Sequence, residues 1–129
     1  MSQPVRLPIT LLLLLLGWWL GAVPVLTADP QERTFTVIVH NRQVAPDTKV
    51  IRVQQGDTVT LRWISDETVA LHLHGYDIAT LVKAGVPTAL RFTAHATGRF
   101  PISAHGFGAQ AYGTAQSETP IVYVEVLPR

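Results

Sequence analysis

The 129 residues contain no cysteine and carry a formal net charge of +1, ten Lys and Arg against nine Asp and Glu. Without cysteine there is no disulfide, no thiolate metal ligand and no thiol chemistry. Without a basic stripe there is no electrostatic footprint for nucleic acid.

Residues 1–28 read as a leader. Arg6 precedes an apolar run from Leu7 to Leu26, with Leu11 to Leu16 and Trp18-Trp19 inside it, and Leu26-Thr27-Ala28 closes it before the polar Asp29-Pro30-Gln31-Glu32. A cation, an apolar centre and a small closing residue form the pattern of a secretory signal peptide, with Ala28 or Ala22 as the cleavage point. The alternative is an uncleaved membrane anchor, since about 20 apolar residues can span a bilayer. Pro8, Pro24, Gly17 and Gly21 make it a poor continuous helix. The expectation is therefore export to the periplasm, with membrane contact only if the leader is kept. Residues 29–129 are then one exported domain, formally neutral, with nine Lys and Arg balancing nine Asp and Glu.

From Arg33 onward the pattern alternates with the period of a strand. Phe35, Val37 and Val39 share one face of a first strand, with Thr34, Thr36, Ile38 and His40 on the other. Turns at Asn41-Arg42-Gln43 and Ala45-Pro46-Asp47 lead to a second strand, Thr48 to Val53, which ends at Gln54-Gln55-Gly56-Asp57. A third strand, Thr58 to Ile64, sets Val59, Leu61 and Trp63 on one face, so Trp63 is read as core. After Ser65-Asp66-Glu67 a fourth runs through Val69-Ala70-Leu71-His72-Leu73-His74. The segment Ile78 to Val86 is read as irregular. Strands follow at Thr88 to Thr93 and Arg99 to Ala104, where Phe100, Ile102 and Ala104 alternate inward. A loop from His105 to about Thr119 precedes a closing strand, Ile121 to Leu127. No window reads as a helix. Seven or so short strands with frequent turn signals predict an all-β Greek-key sandwich or barrel.

In the fourth strand His72 and His74 share the face opposite Val69, Leu71 and Leu73. At a rise of about 3.3 Å per residue their Cα atoms stand roughly 6.5 to 7 Å apart, within reach of one metal ion. Gly75 allows the turn that follows. Tyr76 and Asp77 then lie where they could orient the imidazoles by hydrogen bonds. An isolated H-x-H also occurs by chance on solvated faces. His40, on the polar side of its strand, and His95, near a turn, are read as solvated.

These residues resemble a family. Phe35 to Val39, Lys49 to Val59 with its Gly56-Asp57 turn, Leu71-His72-Leu73-His74-Gly75-Tyr76-Asp77, Gly98-Arg99-Phe100 and Val122 to Val126 together resemble the cupredoxin-like domains of exported bacterial proteins, over nearly the whole chain after the leader. The H-x-H-G-Y-D segment is similar to one subgroup. The resemblance implies a Greek-key β-sandwich and a copper site, but not a blue one. Blue copper needs a His₂Cys set with a weak axial ligand. Here Ala104 stands where the family places its Cys, Phe107 where the next His would be, and the sole Met is Met1.

What the frame leaves is a histidine-only set, His72, His74 and His105. Neutral imidazole suits copper, with zinc as the other candidate. Whether His105 faces the other two is decided by register, since a slip of one residue reverses the face. Proton competition for the imidazoles is expected to weaken metal binding below about pH 6. An oxidase or reductase would need a cysteine or a second metal cluster, so the expectation is a non-enzymatic protein that buffers, delivers or confers tolerance to metal. The alternative is a metal-free interaction module. It would meet a periplasmic protein through loop 106–119, with Phe107 and Tyr112 as aromatic anchors.

Overall fold

The computed structural model describes residues 28–113 and 118–129, together with Ser2, Gly21, Ala22, Pro24 and Leu26. The expected leader falls mostly outside the described residues. Among the described residues no helix is long and apolar enough to cross a membrane.

Among the described residues eight strands run in chain order: β1 (Glu32–Val39), β2 (Val50–Gln54), β3 (Thr58–Ser65), β4 (Val69–Leu73), β5 (Ile78–Val82), β6 (Thr88–Thr93), β7 (Gly98–Phe107) and β8 (Thr119–Leu127). They form a three-stranded sheet ordered β1-β3-β6 and a five-stranded sheet ordered β2-β8-β7-β4-β5. The β1–β3 and β2–β8 pairs are parallel; the others are antiparallel. One apolar core joins the inner faces. Val37, Val59, Leu61, Trp63 and Leu90 come from the smaller sheet, and Val69, Leu71, Leu73, Ile102, Val122 and Val124 from the larger. Strict alternation in β3 and β4 puts every second side chain into this core. The all-β sandwich expected from the sequence is the architecture observed.

Four local readings change. Residues 78–86 are not irregular throughout: Ile78–Val82 is β5, an edge strand paired with β4. Its alternation is masked because Thr80 is half-buried while Leu81 is exposed, reversing the usual pattern. The second strand starts later than Thr48, because Pro46–Thr48 forms a 3-10 turn. Pro46 has no N–H to give a ladder and suits the start of such a turn. β7 continues to Phe107, and a second 3-10 turn, Gly108–Tyr112, occupies much of the expected loop. β8 begins at Thr119 rather than Ile121.

At the end of the sandwich where β2 and β8 finish, Asp57 is a buried carboxylate. It accepts from the backbone N–H groups of Gln31 and Gln54 and pairs with Arg129 and Arg33. Burial pushes its pKa up, but those N–H groups and cations outweigh it and hold the carboxyl below its ordinary value. Arg129 also donates to the carbonyls of Ala28 and Asp29. One acid therefore ties Gln31 and Arg33 to Gln54 and Arg129.

Candidate metal centre

Because Val69, Leu71 and Leu73 fill the core, Ala70 and His72 point to the outer face of the larger sheet. Directly opposite His72 in the β4–β7 ladder is Ser103, itself buried. His105 reaches the same face at a break in register. Leu71 pairs with Ala104 and Ala70 with Gly106, which leaves His105 as the extra residue of a bulge. A bulge re-aims a side chain and often sits beside a functional site. A second irregularity lies in β8, where Ile102 pairs with Val122 but Ser103 with Pro120. Pro120 lies before the stretch of β8 that β2 covers, where a missing N–H is tolerated. That kink brings Glu118 over the histidines.

The 3-10 turn Gly108–Tyr112 folds back on the sheet. A Cβ at Gly106 would lie 2.5 Å from the Gln110 carbonyl oxygen, so the 3-10 turn closes over a position that only glycine fits. Gly108 N–H bonds to Thr68 O at 2.7 Å. On the flank, Arg42 makes a two-point contact with Glu67 and lies 5.3 Å from the Phe107 ring centre.

One ligand atom from each of His72, His74, His105 and Glu118 lies within 4.8 Å of the others. Ring centres are 4.3 Å apart for His72 and His74, 5.3 Å for His72 and His105, and 6.3 Å for His74 and His105. His74 Nε2 is 3.1 Å from Glu118 Oε2, and His105 Nε2 is 3.2 Å from Oε1. Those are ion-pair distances, yet neither nitrogen is aligned for a hydrogen bond. Both are buried atoms without a partner, and among the described residues the third such atom is Trp63 Nε1, in the core. Buried polar atoms are nearly always satisfied. Two orphaned imidazole nitrogens converging on one carboxylate are what a metal cation would satisfy, and three neutral imidazoles with one carboxylate suit Zn(II) or Cu(II).

The residues expected to orient the imidazoles divide. Asp77 Oδ1 lies 3.2 Å from His72 Nε2. A carboxylate accepting from Nε2–H leaves Nδ1 as that ring's free lone pair. Tyr76 turns away. Gly75, at φ +83°, packs so closely on Phe100 that a Cβ would lie 2.4 Å from that ring. The reversed chain sends Tyr76 among Phe92, His95 and Phe100. Its hydroxyl donates to Ala96 O at 3.0 Å and accepts from Ala96 N–H at 3.3 Å. Burial raises its pKa, partly offset by the Ala96 N–H that donates to the phenolic oxygen. Tyr76 is a clasp on the β6–β7 turn, packed on His95 and not on His72, His74 or His105.

His95 packs edge-on against Tyr76, and His40 Nδ1 lies 2.9 Å from Asp66 Oδ2; both histidines are exposed. Glu118 is the member that sequence reading missed. Its only local signal is an acidic residue just before the closing strand. Of the two loop aromatics, Phe107 packs against the core and Tyr112 is 67% exposed.

No protein-family model and no curated sequence matches the chain. Solved structures do. It is similar to a multi-copper oxidase from Pseudomonas thermotolerans at 19% identity and a TM-score of 0.56, over 78% of this chain and 31% of that one. A copper binding protein in the apo form aligns at 9% identity and a TM-score of 0.55, over 78% and 93%. A heme-copper terminal oxidase aligns at 14% identity and a TM-score of 0.52, over 75% and 65%. The chain spans about a third of the multi-copper oxidase and under two thirds of the terminal oxidase. The fold is a cupredoxin-like β-sandwich.

Proposed function

We propose that this chain binds one Cu(II) ion through His72, His74, His105 and Glu118, and that its role is non-catalytic metal handling after export: buffering, delivery or tolerance. The observation that carries the reading is the pair of buried, partnerless Nε2 atoms of His74 and His105 facing Glu118. An assembled divalent site explains why the fold leaves them unsatisfied. Copper is preferred to zinc because Cu(II) stands above Zn(II) in affinity for nitrogen and oxygen donors. With no thiolate in the sequence the bound copper is non-blue, in a nitrogen and oxygen field. His72 is held by Asp77, and the 3-10 turn and Glu118 cover the set. Export rests on the leader pattern of residues 1–28, and the H-x-H-G-Y-D segment is assigned to the exported cupredoxin-like subgroup it resembles.

The test is a titration of metal-free protein with Cu(II), followed by EPR. One equivalent of nitrogen-ligated, non-blue copper is expected, and a His72→Ala/His74→Ala double variant should lose it. No stoichiometric binding, or unchanged binding in the double variant, would sink the reading.

A further inference from the structure

A cavity of about 490 Å³ opens beside the four-residue cluster, on the outer face of the larger sheet. Its floor includes the imidazoles of His72 and His105. One wall is Ala79 and Leu81 of β5, the other Ala111 and Tyr112 of the 3-10 turn. The register explains the first wall: Ala79 pairs with His72 and Leu81 with Ala70, so their side chains share the outer face. Leu81 at 38% and Tyr112 at 67% are among the exposed large apolar side chains of the domain, and they stand at this one cavity. Among the described residues no Asp, Glu, Lys or Arg lines it. An apolar pocket with a few convergent polar groups is the usual form of a small-molecule site.

We infer that this cavity binds a small monocarboxylate with an apolar body, whose head completes the coordination of the bound metal. The inference rests on the copper reading above and deepens it. The charge balance selects the head. A divalent ion held by three neutral imidazoles and the Glu118 carboxylate keeps one positive charge within its ligand shell; Asp77 lies outside that shell, 98% exposed and screened by solvent, so one further carboxylate on the ion neutralises the charge. An ammonium head would be repelled by the ion, and a dianion would leave an unpaired charge against apolar walls. The walls select the body. Ala79, Leu81, Ala111 and Tyr112 offer apolar surface and no second charge, so affinity rises with the carbon skeleton, about fourfold for each buried CH₂ group.

Copper-loaded full-length protein, its copper content measured first, is titrated with benzoate, acetate and benzylamine while the copper EPR and visible spectra are followed. Benzoate should perturb the copper signal and bind at least about tenfold more tightly than acetate, and benzylamine should leave the signal unchanged. Leu81→Asn, a neutral polar change on an exposed edge strand outside the core, should cut the benzoate preference sharply and leave copper content and acetate binding as they were. Equal binding of benzoate and acetate, or a benzoate preference that survives Leu81→Asn unchanged, overturns the cavity assignment while the copper reading stands. A protein that takes up no copper overturns the copper reading, and the cavity assignment falls with it.

Discussion

Replacing His74 by leucine separates a metal ligand from a structural histidine, because the two roles predict opposite changes in the metal-free protein. The Nε2 of His74 is a buried polar atom with no hydrogen-bond partner. Such an atom costs about 1–3 kcal/mol. The His74 side chain is 29% exposed, which places the cost near the lower end. Leucine of similar size removes the orphan and keeps the backbone bond from His74 N–H to Pro101 O at 3.0 Å. The metal-free variant should therefore gain about 1 kcal/mol, or roughly 5 °C in Tm for a domain of this size. Metal should reverse the ranking. A ligand present at a hundredfold excess over its Kd stabilises the native state by about 2.7 kcal/mol. Wild type should thus gain 10 °C or more on adding metal, and His74→Leu little of it. The assay is thermal and urea unfolding at pH 8, in EDTA and in Cu(II), with Zn(II) as a redox-inert parallel. Trp63→Phe is the control: it removes the orphaned indole N–H in the core and should leave the metal increment intact. If His74→Leu destabilises the metal-free protein by more than about 1 kcal/mol and still gains the full increment, the imidazole is a packing residue and the argument from unsatisfied nitrogens is wrong.

Asp77→Ala removes the carboxylate beside His72 Nε2 at 3.2 Å. Metal affinity by titration should fall about tenfold, the mild end for an orienting partner because Asp77 is solvent-exposed, with the metal-free Tm unchanged. Asp57 is depressed in pKa by its N–H donors and cations, so the stability it contributes is complete above the unfolded value of about 3.9 and lost as pH falls through the folded value. Asp57→Asn should cost about 2 kcal/mol or more at pH 7. In urea unfolding from pH 7 to pH 2, the gap to wild type should narrow on the acid side; a constant gap would refute the linkage. Gly106→Val places side-chain atoms against the Gln110 carbonyl, since even a Cβ would be 2.5 Å away. It should displace the 3-10 turn, which hydrogen exchange of the Gly113 N–H, bonded to Gln110 O, would report, and it should weaken metal binding.

Alternation is a local property of a strand, so it is legible in sequence. It was enough to determine the all-β sandwich, the inward faces of β1, β3 and β4, and the placing of His72 and His74 together on the face opposite Leu71 and Leu73. Missing cysteine likewise removes a blue-copper site on chemistry alone. Strand β5 was hidden because its pairing with β4 carries it through a poor pattern, with Thr80 inward and Leu81 outward. Long-range pairing also decided the site. The direction of His105 depends on one extra residue between the partners of Ala70 and Leu71, and Glu118 arrives through a second kink across from Ser103. Tyr76 left the site because the Gly75 turn against Phe100 reversed the chain before it. Bulges, registers and positive-φ turns are settled by contacts between segments far apart in the chain. The sequence by itself thus determined the faces, and only the tertiary structure decided which side chains on those faces meet.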